Sequence, residues 1–158
     1  MTDSSNMITL VSSDAQKFPI SKKAAERSTI VKDMMQDYGD SSEITINEVK
    51  GDILKKVVEY LTHYADSDPR ELPKPLPSAD LRDVTDEWDV KFIDIVNDTV
   101  FDIINAANFM AIKPLLDLSC AKIAVQMKNK TAQEIRDLFN IENDLTEEEL
   151  KEYEEYQI

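Results

Sequence analysis

The sequence predicts an α+β protein, a small sheet with helices followed by a helical C-terminal half. Three observations predict it. Apolar residues alternate with period two at Ile8/Leu10, Phe18/Ile20 and Ile44/Ile46. Helical spacing takes over at Asp52, and beyond a proline-rich stretch at 66–87 every apolar pattern is helical.

Taken in order, Ile8-Thr9-Leu10 and Phe18-Pro19-Ile20 enclose the turn-like Ser12-Ser13-Asp14-Ala15 and read as a β-hairpin. Ser21 caps a short helix ending near Arg27. A second helix carries Val31, Met34, Met35 and Tyr38, with Gly39 as its stop. Ile44 and Ile46 suggest a third strand. From Asp52, Ile53, Leu54, Val57, Val58, Leu61 and Tyr64 share a helical face. Residues 66–87 hold four of the six prolines and no period, and read as a flexible surface linker. Trp88, Phe92 and Ile95 form the next stripe, Asp98 is placed to cap a helix reaching Met110, and Pro114 suits the first turn of a helix running to about Asn129. Thr131/Glu134 and Thr146/Glu149 have capping-box spacing and mark two more helix starts.

Composition narrows the function. With 32 acidic against 18 basic residues, the net charge of −14 repels nucleic-acid phosphate and anionic lipid, so neither nucleic acid nor membrane is an expected partner. No apolar run approaches a membrane span, and MTDSSNMITL lacks the basic and apolar regions of a signal peptide. Cys120 is the single cysteine, which excludes an internal disulfide and suits the cytoplasm and nucleus.

Catalytic chemistry finds little to work with. His63, the one histidine, falls late in an amphipathic helix and reads as a helix-face residue. Cys120 lies on an apolar stripe and reads as a buried structural thiol. Gly39 and Gly51 are the only glycines, too few for a phosphate-cradling loop. No Cys-x-x-Cys pair or EF-hand spacing occurs, so no metal, cofactor or catalytic residue is expected. Acid–base chemistry by Asp and Glu is the remaining enzymatic alternative, and the carboxylates cluster on solvated faces such as Glu147-Glu148-Glu149.

What stands out is a pair of helices with two apolar faces. At 100° per residue, Leu116, Cys120, Ile123 and Met127 fall within about 60° of one another, opposite Leu118, Ala121 and Val125. In the preceding helix, Val100, Ile103, Ala107 and Met110 oppose Phe101, Ile104 and Asn108. Either both helices are wrapped by their own domain, or one face packs inward and the other meets a partner; the scarcity of covering elements favours the second. The last two helices, with Ile135, Leu138 and Phe139 in one and Leu150, Tyr153 and Tyr156 or Gln157 in the other, are too short to stand alone and should depend on docking.

The same residues carry a family resemblance. Trp88-Asp89, Ala106-Ala107-Asn108-Phe109, Ile112-Lys113, Leu115-Leu116-Asp117, Cys120, Lys130-Thr131, Glu134-Ile135-Arg136 and Phe139-Asn140-Ile141 resemble the C-terminal half of the S-phase kinase-associated protein family, the adaptor subunits of SCF (Skp–cullin–F-box) ubiquitin ligases. Ile8-Thr9-Leu10, Ser12-Ser13-Asp14 and Ile53-Leu54-Lys55-Lys56-Val57 extend the likeness to the N-terminal half. It implies a BTB/POZ-like domain over 1–128 and a C-terminal helical extension over 129–158 for F-box binding. Carried over by motif, the F-box face comprises Phe101, Ile104, Leu116, Cys120, Ile123, Met127, Ile135, Leu138, Phe139 and Ile141, and the cullin face Asn108 and Phe109. A weak homodimer is expected when the chain is alone. The implied function is a non-enzymatic adaptor bridging cullin to F-box substrate receptors; the alternative is a same-fold adaptor in non-cullin assemblies. Three departures stand out. Phe109 replaces the family's tyrosine, Pro114 stands where glycine is common, and the sequence closes at Ile158 without the family's terminal Trp-Cys pair.

Overall fold

The computed structural model describes residues 6–39 and 41–155, with side chains as far as 152. The chain divides into two compact units, Met1–Gln126 and Met127–Ile158.

The first unit is built on a three-stranded sheet ordered β2-β1-β3. Strands β1 (Met7–Val11) and β2 (Lys17–Ser21) form the expected hairpin, antiparallel, with Ile8 opposite Ile20 and Leu10 opposite Phe18. Ser12 closes the turn: its hydroxyl donates to Asp14 Oδ1 (2.5 Å) and accepts from the Gln16 amide (2.9 Å). The same Asp14 oxygen accepts from Gly51 N–H at 2.8 Å, tying the hairpin to the start of a later helix. Strand β3 (Glu43–Thr45) runs parallel to β1, Leu10 beside Ile44. Period-two alternation sends Ile8, Leu10, Ile20 and Ile44 to the buried face.

Helix α1 (Lys22–Ala25) starts at Ser21, whose side chain accepts from Ala24 N–H. Helix α2 (Thr29–Tyr38) is capped by Ser28 and stops at Gly39, whose φ of 59° lies in the left-handed region that favours glycine. Buried Ser28 also donates to the Met110 carbonyl at 2.5 Å, so one hydroxyl caps a helix and fixes a distant turn. Helix α3 (Gly51–His63) buries Ile53, Leu54, Val57, Tyr60 and Leu61.

The expected surface linker at 66–87 needs correction at its far end. Asp80 caps a 3₁₀ turn at Leu81–Asp83, accepting from Arg82 N–H at 3.0 Å, and the turn drives Leu81 and Val84 into the core. Buried Thr85 then donates to Asp89 Oδ2 (2.7 Å), while Tyr64 donates to Asp89 Oδ1 (2.5 Å). A carboxylate 3% exposed is thus held by two hydroxyls. Its helix, α4 (Glu87–Phe92), brings Trp88 and Phe92 against Tyr60 and Tyr64 in an aromatic cluster. His63 lies flat on the Trp88 ring, 3.6 Å between centroids and 4° between planes.

Helix α5 (Asn97–Phe109) is capped by the Val96 backbone, not by Asp98, which falls within the first turn and acts there on the helix dipole. Helix α6 (Lys113–Met127) has Pro114 in its first turn. It ends two residues before the expected Asn129, which adopts φ 64° and cannot continue a right-handed helix. The second unit holds α7 (Ala132–Phe139) and α8 (Glu147–Glu155). Both expected capping boxes form. The Glu134 and Thr131 amides each bond the other's side chain at 3.2 and 2.9 Å, and Glu149 and Thr146 do the same at 3.3 and 2.8 Å. Tyr153, Tyr156 and Gln157, expected on the apolar side of the last helix, lie outside the described side chains.

Candidate partner-binding site

Helices α5 and α6 run antiparallel, joined by a short turn at one end and by side-chain hydrogen bonds at the other. The three-residue connection Met110–Ile112 turns through Ala111 in the left-handed region, and the Ile112 amide bonds the Ala107 carbonyl at 2.9 Å. At the other end, the Asn97 and Gln126 side-chain amides exchange two hydrogen bonds, at 3.0 and 2.9 Å. Fastened at both ends, the helices hold their inner and outer stripes in fixed register.

The inner stripes are core. Val100, Ile103, Ala107 and Met110 of α5 are fully buried, and Leu118, Ala121 and Val125 of α6 are 2–8% exposed. The outer stripes are less buried: Phe101 is 40% and Met127 39% exposed, while Ile104, Leu116 and Ile123 are half-buried. Cys120, expected as a buried thiol, is exposed, because its angular position lies beside Leu116 and away from the Leu118–Val125 core side. Partial burial, with the Asp117 carboxylate next, pushes its thiol above the ordinary cysteine value, the opposite of what an activated nucleophile needs. Burial also pushes the Asp117 carboxyl up, but Lys113 and Lys74 outweigh it and hold the group below the usual carboxylate range.

Sequence reasoning missed one wall of this surface. The segment around Leu72–Leu76 flanks α6 and encloses a groove of about 370 Å³ over Leu116, Cys120, Ala121 and Ala124. Proline-rich and aperiodic, it gives no sequence signal of which side packs.

In the second unit, α7 buries none of its residues. Ile135 and Phe139 are half-buried, and Leu138 and Ile141 are exposed at 41% and 54%. Asn108 and Phe109, the residues carried over for cullin, are both exposed at the end of α5. Phe109 lines a cleft of about 390 Å³ with Glu48, Lys50, Asp52, Asp102 and Asn105, whose three carboxylates against one amine suit a basic visitor. Among the described residues, no group of three His, Cys, Asp or Glu is placed to hold a metal ion, and no helix is long and apolar enough to cross a membrane.

The described residues of α5 and α6 present a row of apolar side chains at the surface. Residues 6–66 match the tetramerisation domain of the Skp1 family, and residues 113–157 match that family's dimerisation domain. An S-phase kinase-associated protein 1 homolog from Tetrahymena thermophila is 43% identical over 94% of this chain and 90% of its own length. The chain belongs to the Skp1 family. Other relatives in the family carry the name E3 ubiquitin ligase complex SCF subunit sconC. The one from Arthroderma benhamiae is 43% identical over 91% of this chain and 88% of its own, and the one from Talaromyces marneffei 40% identical over 92% and 91%. The Skp1 tetramerisation match covers the sheet, α1 to α3 and their shared core, in keeping with a BTB/POZ-like α+β fold.

Proposed function

We propose that this chain is the non-enzymatic adaptor of an SCF-type ubiquitin ligase, holding F-box substrate receptors on one surface and a cullin scaffold on another. The observation that carries the proposal is the outward apolar stripe of α5 and α6, exposed or half-buried opposite a buried inner stripe in a chain of the Skp1 family. Phe101, Ile104, Leu116, Cys120, Ile123 and Met127 supply the F-box face of this hairpin, and Ile135, Leu138, Phe139 and Ile141 supply the contribution of the helical extension. A large apolar side chain gains roughly 1.5–3 kcal/mol on full burial, and these begin partly exposed, so a few closed over by a partner helix suffice for micromolar affinity or better. Asn108, Phe109 and the acidic cleft beside them form the cullin contact. The adaptor contributes position, and ubiquitin transfer is left to other subunits. It works in the cytoplasm and nucleus.

A second reading, an adaptor of the same fold holding F-box proteins without a cullin, draws on Phe109, which offers no hydroxyl for a hydrogen bond to the scaffold. Affinity isolation of the tagged chain from cell extract, read by mass spectrometry, separates the two. F-box proteins with a cullin support the first, F-box proteins alone the second, and neither refutes both. Without a partner the exposed stripe also drives weak self-association, and a strict monomer in concentrated solution by analytical ultracentrifugation would contradict that.

A further inference from the structure

We infer that the groove between the Leu72–Leu76 segment and α6 is part of the F-box site, taking a large apolar side chain from the F-box partner, and that this segment helps select which F-box proteins bind. The inference rests on the function proposed above and adds to it a residue set outside the helices that carry the stripe.

Continuity is the first argument. Leu116 and Cys120 belong both to the outward stripe and to the groove lining, so a helix seated on the stripe has the groove at its edge. Shape is the second. Ala121 and Ala124 keep the floor low, while Leu72 and Leu76, packed on the core at their inner sides, raise the opposite wall. The groove is open to solvent, and its volume of about 370 Å³ falls in the ~300–1,000 Å³ range of pockets that hold ligands. Chemistry is the third. The charged lining is the Lys74–Asp117 pair, whose Nζ and Oδ1 lie 3.3 Å apart, and Lys113 Nζ reaches the other Asp117 oxygen at 2.9 Å. These charges satisfy one another at the rim, leaving the interior apolar, which admits Leu, Ile, Met or Phe and penalises a charged side chain. Leu72 and Leu76, packed against the core, hold the segment beside α6, and the exposed Lys74–Asp117 pair adds a weak tie.

The test uses the full chain with Cys120→Ala and Ala124→Cys, so that the one thiol lies in the groove and off the stripe. The probe is a recombinant F-box domain, with its flanking residues, from a protein co-isolated with the tagged chain. The expected result is alkylation by N-ethylmaleimide that slows on the order of tenfold in the complex, as exclusion of the reagent requires. A complex that forms by gel filtration while this thiol reacts as fast as in the free chain overturns the inference and leaves the proposed function standing. If the wild-type chain forms no complex, both fall. Protection that grows with concentration in the free chain means a second copy fills the groove, which also overturns it. Ala124→Trp, with Cys120 retained, gives an independent reading: filling the groove weakens affinity on the order of tenfold, or the groove is not used.

Discussion

Ile123→Asp places a carboxylate in the middle of the outward α6 stripe, and both its cost and its pH dependence can be worked out in advance. In the free protein Ile123 is half-buried, so the aspartate reaches water and the fold survives. Beneath a partner helix it must be neutralised. Protonating an aspartate of ordinary pKa costs about 4 kcal/mol at pH 7 and about 1.5 kcal/mol at pH 5. The substitution therefore weakens F-box binding by about a thousandfold at pH 7 and by about tenfold at pH 5. The sign follows from linkage: the carboxyl pKa rises in the complex, so the complex takes up a proton and tightens as pH falls. Leu118→Asp is the matched control five residues earlier on the opposite side, where 2% exposure leaves no route to water, and it should abolish the cooperative thermal transition. Titration calorimetry at both pH values, with circular dichroism to confirm folding, makes the measurement. A folded Ile123→Asp protein binding within threefold of wild type at pH 7, or one whose deficit is equal at both pH values, would refute the face assignment.

Three further outcomes follow from the geometry. Helix α7 buries none of its residues, so its amides should exchange rapidly in the free protein and become protected in the F-box complex; free-state protection equal to that of α5 would show that the extension needs no partner. Hydrogen bonds from Arg82, side chain first and backbone second, lower the Asp80 carboxyl to about 2, so its contribution is present above the ordinary pKa of about 4 and is lost as pH falls through about 2. Asp80→Asn should accordingly flatten the acid limb of stability between about pH 4 and pH 2, and superimposable acid-unfolding curves would remove this ion pair from the account. Finally, His63→Ala uncovers the sole tryptophan, Trp88, by removing a stacked ring; the expected loss is about 1 kcal/mol with a change in tryptophan emission, and unchanged emission would mean the stack does not persist in solution.

The readable parts of this protein were those governed by local rules. Ser21, Thr131/Glu134 and Thr146/Glu149 were legible as helix starts because a cap is satisfied within three or four residues of itself. The two-faced pattern of α5 and α6 was legible because helical angle depends on spacing alone. Asp98 misled because both a cap and a first-turn carboxylate are favourable near a helix start, and pattern does not separate them. Cys120 misled in a different way. A thiol on an apolar stripe is ambiguous between core and surface until the other stripe is known to have taken the core.

By itself the sequence determined the α+β class, the order of strands and helices, and the existence of two apolar stripes on α5 and α6, since each depends on chemistry within a few residues. Tertiary structure decided which stripe the core claimed, how Thr85 and Tyr64 from separate segments came to hold the Asp89 carboxylate, and that the proline-rich stretch buries Leu81 and Val84 and walls a groove beside α6. The decisive contacts join segments 25 to 43 residues apart, as Tyr64 meets Asp89 and Lys74 meets Asp117, and no periodicity records which distant segments the core will bring together.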